Sequence, residues 1–249
     1  RNENNVGAVL FNTLKAPADD VRVRRALQLS TNQELLIKSS MGAGAGERAT
    51  QWFAPESRWW SGLAAERWPK TNTAQAKELL AAYVDDVDRS DRRAEGSKVV
   101  VRLQCTDDIH LSSMTRELAR QWEATGFVEV ELETVTRNGL IQRVLGSVTD
   151  RPGFSGDFLA TCWRFGGESD PAMMFAPLFG PVRTSPLNVT NLHDESLTLL
   201  VDLLHSSRIE TVRQAAVEQL MLAFVERMPM IYLSHAQSAL VGHSDTAGL

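Results

Sequence analysis

KVVVRLQC (98–105), FVEVELETV (127–135) and DFLATCW (157–163) decide the fold. The first and third are short, almost continuous apolar runs and read as buried strands, while the second alternates strictly and reads as a strand with one face covered. Between them lie two stretches of helical period, Ile109 to Thr125 and Arg137 to Leu145. The order β-α-β-α-β predicts an α/β layer with helices packed on a sheet.

Working outward toward the N-terminus, VDDVDRSDRRAEGS (84–97) carries charge of both signs and no apolar period, so a mobile linker or a hairpin is expected there. Thr73 to Tyr83 reads as a short helix, with Asn72 or Thr73 as its cap and Ala76, Leu79 and Leu80 facing inward. Before it lies a long irregular region, rich in glycine and proline, that holds Trp52, Trp59, Trp60 and Trp68. Loops this long and aromatic are functional or tightly packed. One helix is expected from Asp20 to about Ser40, its apolar stripe interrupted by the polar STNQE. VGAVLFNT (6–13) reads as a strand, and the APADD that follows places carboxylates at a helix N-terminus, where the macrodipole favours them.

Toward the C-terminus, the turn-rich RFGGESDP precedes a short apolar stretch and a loop with Pro181 and Pro186. Two helices follow, about Glu195 to Ser206 and Ile209 to Arg227, the second with Ile209, Val212, Ala216, Leu220 and Phe224 along one face. Pro229 stops it, and MIYL reads as a last strand.

The chain has 249 residues, 43% of them hydrophobic and 23% charged, an ordinary globular composition. A formal net charge of −5 offers no attraction for phosphate backbones or anionic lipid, so nucleic acid is not an expected partner. Arg22, Arg24 and Arg25 read as part of a solvated helix face that also carries Asp19, Asp20 and Glu34. No run approaches the roughly 18 consecutive apolar residues that cross a bilayer. RNENNV lacks the layout of a signal peptide, and an apolar run starts at Val6, which suggests a fragment of a longer protein. Cys105 and Cys162 each end a strand; two reduced core thiols are the favoured reading, and a disulfide between neighbouring strands is the alternative.

Motif chemistry is sparse. GAGAGER (42–48) lacks both the third glycine of a dinucleotide fingerprint and a Gly-Lys-Ser/Thr ending. Ser155 in GFSGD misses the glycine spacing of a nucleophile elbow and reads as a turn serine. His110, His193, His205, His235 and His243 show no metal-ligand spacing and read as surface or capping residues. Asn188-Val-Thr190 is a glycosylation sequon, relevant only in a host that uses it. No catalytic residue, cofactor or metal is therefore expected.

The order of segments says more than any motif. FNTLKAPADDVRVRRALQLSTNQELL, through Asn12, Pro17, Asp20, Arg22, Val23, Arg24, Ala26 and Leu27, resembles a stretch of the family 5 extracellular solute-binding proteins. These are the oligopeptide, dipeptide and nickel receptors of ABC importers. The glycine run before Pro55, AKELLAAY, the strand ending in Trp163 with Asp170-Pro171 after it, Arg213 and the closing MPMIYL all resemble the same family in the same order.

The resemblance implies a periplasmic-binding-protein-like type II fold, with residues 1–249 forming a single C-terminal lobe: a mixed sheet flanked by helices. It implies an extracytoplasmic receptor, anchored as a lipoprotein, whose partners are a small-molecule or peptide ligand and the ABC permease subunits. In the peptide-binding relatives an Asp three residues after the strand-end Trp holds the ligand's ammonium; here that position is Gly166, and Glu168 could supply a displaced carboxylate. Trp163 and Phe165 are candidates for stacking on ligand, and Trp52 and Phe53 for contact from a loop that borders the cleft in the family, with core packing the competing role. Arg22 and Arg24 are expected to be structural. Two other readings compete: an effector-sensing domain of a regulator, and one lobe of an unrelated α/β enzyme.

Overall fold

The strands and helices follow the sequence closely, and their order in space adds what the sequence does not contain. A computed structural model describes residues 2–41, 46–146, 156–166, 170–180, 187–192 and 194–237. Along the chain run β1 (Asn2–Phe11), α1 (Val21–Leu29), α2 (Gln33–Met41), β2 (Glu47–Arg48), α3 (Gly62–Arg67), α4 (Thr73–Val84), β3 (Val99–Thr106), α5 (Ile109–Glu123) and β4 (Val128–Val135). Then come α6 (Arg137–Leu145), β5 (Ala160–Phe165), α7 (Pro171–Phe179), α8 (Glu195–Ser206), α9 (Glu210–Arg227) and β6 (Met230–Gln237).

The six strands form one mixed sheet in the order β2-β6-β1-β5-β3-β4. β3 pairs in parallel with both β4 and β5, whereas β1 is antiparallel to β5 on one side and to β6 on the other. Helices cover both faces. One core carries Ala64, Leu140, Phe175, Leu197 and Leu220 from α3, α6, α7, α8 and α9; the other carries Leu27, Leu36, Leu80 and Trp122 from α1, α2, α4 and α5.

The helix expected from Asp20 to Ser40 is two helices, and the polar break explains why. Ser30 and Thr31 turn their hydroxyls back onto the carbonyls of Ala26 and Leu27, which ends α1, and the Asn32 side chain accepts from the Leu35 N–H to start α2. In the irregular region the chain also forms β2 and α3, the latter capped by Ser61 on the Ala64 N–H. The short apolar stretch after Asp170 is a helix, α7, entered by an Asp170 cap and Pro171 in its first turn. Its nearly all-apolar composition gives no amphipathic period to read.

Arg24 is no part of a solvated face. Only 4% exposed, it donates to the carbonyls of Ala18, Asp19, Arg227 and Met228 and ties α1 to the end of α9. Arg22 pairs with Asp20 and Asp86. The stretch 84–97 holds a second buried guanidinium, Arg89, which donates to the carbonyls of Val84, Ala94 and Ser97, pairs with Asp91 and lies 5.0 Å from the Tyr83 ring. Ser90 donates to Asp19 across the gap. Two of the charges that suggested a linker, Arg89 and Asp91, close these turns.

The cysteines form a disulfide, not the two thiols favoured from sequence. Leu103 and Gln104 pair with Ala160 and Thr161, so Cys105 and Cys162 fall opposite each other at the next step, with Cα atoms 5.0 Å apart. β4 intervenes in sequence but sits at the sheet edge, so adjacency of β3 and β5 was not readable from chain order.

Asp194 links the last two helices. It caps α8 at the N–H groups of Ser196 and Leu197 and pairs with Arg227 at the end of α9. Burial pushes its carboxyl up, but the Ser196 hydroxyl, the Arg227 guanidinium and the Leu197 N–H outweigh that and hold it at about 2, below the ordinary 3.8. A carboxyl depressed on folding stabilises above its ordinary value and loses that contribution as pH falls toward 2. Asp194→Asn keeps a capping side chain and is expected to flatten the loss of stability between pH 4 and pH 2 in acid melts; an unchanged slope would show the pair contributes nothing.

Candidate ligand-binding edge

In open α/β sheets ligands gather outside the carboxyl ends of the strands. Here β3, β4 and β5 end on one edge, and β6, antiparallel to β1 as β5 is, ends there too. β1 starts on that edge, with Asn2 paired to Gln237.

Pairing sets a row across four strands at this edge: Glu47 on β2, His235 on β6, Val6 on β1 and Phe165 on β5. Directly paired residues share a face, so Phe165 and His235 lie on the side of Val6. Trp163, opposite Ala8, lies on the same side and is partly exposed. Gly166 follows at the strand end, exposed, and a Cβ there would sit 3.8 Å from Asn5 Oδ1.

Behind this row stands an aromatic wall. Trp52, 2% exposed, has its ring centroid 4.1 Å from Phe165 and 5.4 Å from Phe175, and Phe53 meets Phe175 edge-on at 5.9 Å. The structure thus brings Trp52, Phe53 and Phe165 together as packing partners and leaves Trp163 and Gly166 with open surface. Glu168 lies outside the described residues, as do Ser155 and residues 42–45.

Asp170 resumes the described chain as the cap of α7 and pairs with Arg213, whose guanidinium lies 5.4 Å from the Trp59 ring. An open cleft of about 420 Å³ beside them is lined by Met173, Leu204, His205 and Arg208. The sequon is sealed: Asn188 is 4% exposed and its amide donates to the carbonyls of Gly180 and Leu192. Among the described residues no group of three or more His, Cys, Asp or Glu side chains is placed to hold a metal.

Sequence reading missed His235, expected as a surface or capping residue and found 1% exposed within β6. Strand alternation from Ile231 and Leu233 would put it on the opposite face. A bulge intervenes: Gly7 pairs with Ser234 and Ala8 with Tyr232, so Leu233 is the extra residue and His235 turns to the side of Phe165. No local sequence signal announces that bulge.

Residues 1–185 match the model of the bacterial extracellular solute-binding proteins, family 5 Middle. The chain belongs to this family. No curated protein matches it by sequence. Among solved structures it is similar to the ABC transporter substrate-binding protein CtaP of Listeria monocytogenes, with TM-score 0.79 and 16% identity over 94% of this chain and 44% of that one. It is also similar to the oligopeptide-binding protein AppA of Bacillus subtilis, solved with a nonapeptide, with TM-score 0.78 and 17% identity over 94% of this chain and 45% of that one. A third is the periplasmic oligopeptide-binding protein of Thermotoga maritima, solved with mannohexaose, with TM-score 0.77 and 16% identity over 93% and 44% of the two chains. The family 5 chain therefore spans under half the length of these structures. It shares their fold, and both its family and these neighbours are binding proteins.

Proposed function

We propose that this family 5 chain is the C-terminal lobe of a two-lobe extracytoplasmic receptor that captures a small solute, a peptide or peptide-like molecule, and delivers it to an ABC permease. The observation that carries this reading is the edge itself: an open Trp163 and Gly166 at the strand ends, with a rigid aromatic wall behind them. A second lobe closing over that edge excludes water from the Trp163 face and shifts the population toward the loaded, closed form. The Cys105–Cys162 disulfide supports an oxidising compartment. In a full-length protein outside the cytoplasm, a lipid anchor serves to keep the receptor near its permease.

Gly166 bears no carboxylate where a peptide's ammonium would be held, so recognition rests on stacking at Trp163, on backbone groups and on Glu168. The neighbours solved with a nonapeptide and with mannohexaose frame the substrate classes to try. A thermal-shift screen of the full-length protein against nonapeptides, oligosaccharides and nickel chelates tests the reading, because a ligand that binds only the native state raises the melting temperature with concentration. One class is expected to raise it, by RT ln(1 + [L]/Kd) in free energy; no shift from any class would contradict the receptor reading.

A further inference from the structure

The buried His235 has a position that the proposed binding role does not by itself require. The residue is 1% exposed, and the hydrogen-bonding group that reaches its ring is the Asn5 backbone on β1, at a geometry that leaves the imidazole poorly satisfied. Such a group is tolerated in a core as neutral imidazole and opposes protonation there. The bulge at Leu233 is what brings it to this face, in one row with Val6 and Phe165. β1 carries a second irregularity beside it, between Asn2 and Val6. The row therefore runs from a titratable side chain, through one strand with weakened pairing, to the ring that packs 4.1 Å from Trp52.

We propose that neutral His235 is a positioning residue of the binding edge: uncharged it packs the β1–β6 junction that fixes Phe165 and Trp52, and its protonation loosens that junction, so acidification opens the edge. The consequence for ligand release rests on the receptor reading; the loosening itself does not. Charged and polar groups reach the ring from each neighbouring strand. Glu47 faces it from β2, Glu56 from the loop after β2 and the Asn5 backbone from β1, all three favouring the cation. Burial outweighs them and holds the imidazole below its ordinary value. A histidine depressed on folding stabilises fully above its ordinary value near 6.5, and that contribution falls as pH drops below it.

Hydrogen exchange on the full-length protein without ligand, at pH 7.5 and pH 5.5 and expressed as protection factors, tests this. Residues 2–11, 160–166 and 230–237 are expected to lose up to about tenfold in protection at the lower pH, the ceiling for one titrating imidazole over this interval, while 99–106 and 128–135 hold theirs. His235→Met fills the site with an apolar chain that cannot titrate and is expected to abolish the difference; His235→Gln serves if the first variant does not fold. Equal protection at both pH values in the wild type, or the same loss in the variant, would overturn the proposal. Because no ligand enters the measurement, its outcome is independent of the thermal-shift screen.

Discussion

Trp52→Ala is expected to lower the unfolding free energy by about 3–5 kcal/mol, the range for removing a buried aromatic and leaving a cavity. The site cannot collapse easily. Trp52 sits among Phe165, Phe175 and Phe179, whose centroids lie 4.1, 5.4 and 6.5 Å away, and Phe175 and Phe179 are held in turn by Phe53 and Phe224. Trp52→Phe should cost much less, because the indole Nε1–H it removes has no hydrogen-bond partner. Chemical denaturation of both variants measures the difference. Equal losses would mean that the indole N–H, not the ring volume, carries the contribution.

Arg24→Ala is expected to cost a similar amount, about 3 kcal/mol or more, by a different mechanism. The guanidinium serves four backbone carbonyls, two before α1 and two at the end of α9, and its removal leaves them without that donor in a largely buried site. Burial lowers its pKa to about 10, against the pull of Asp20 and Asp19, so the charge persists at neutral pH. Arg24→Lys keeps charge but not the planar fork, and should recover only part of the loss. Full recovery by lysine would assign the effect to charge alone.

Much of the fold was legible because most elements carry their own period: β3, α5, β4, α6 and β5 stand nearly where alternation and helical spacing put them. What failed to show was set by the partner each side chain finds in the fold, near in sequence or far. Ser30 and Thr31 read as an interruption of one helix, while their back-bonded hydroxyls and the Asn32 cap make them a boundary. Arg24 looked like a solvent charge because nothing local distinguishes an arginine that finds carbonyls 203 residues away from one that finds water, and Arg89 because its mixed-charge stretch carries no period that shows which charge turns inward. The disulfide depended on β5 lying beside β3, and the face of His235 on a bulge, both decided by sheet pairing. The candidate site residues came from resemblance, and among the described ones Trp52, Phe53 and Phe165 are buried while Trp163 and Gly166 keep open surface.

Trp163 decides the central claim. Calorimetric titration of the full-length protein with the compound class that the thermal-shift screen returns should compare wild type with Trp163→Ala. The partly exposed ring packs only at the margin of the core, so the variant should fold with a melting temperature close to wild type. Loss of one desolvated stacking contact is expected to weaken binding by about tenfold or more. A variant that folds and binds that compound with unchanged Kd would contradict the assignment of this edge as the solute site.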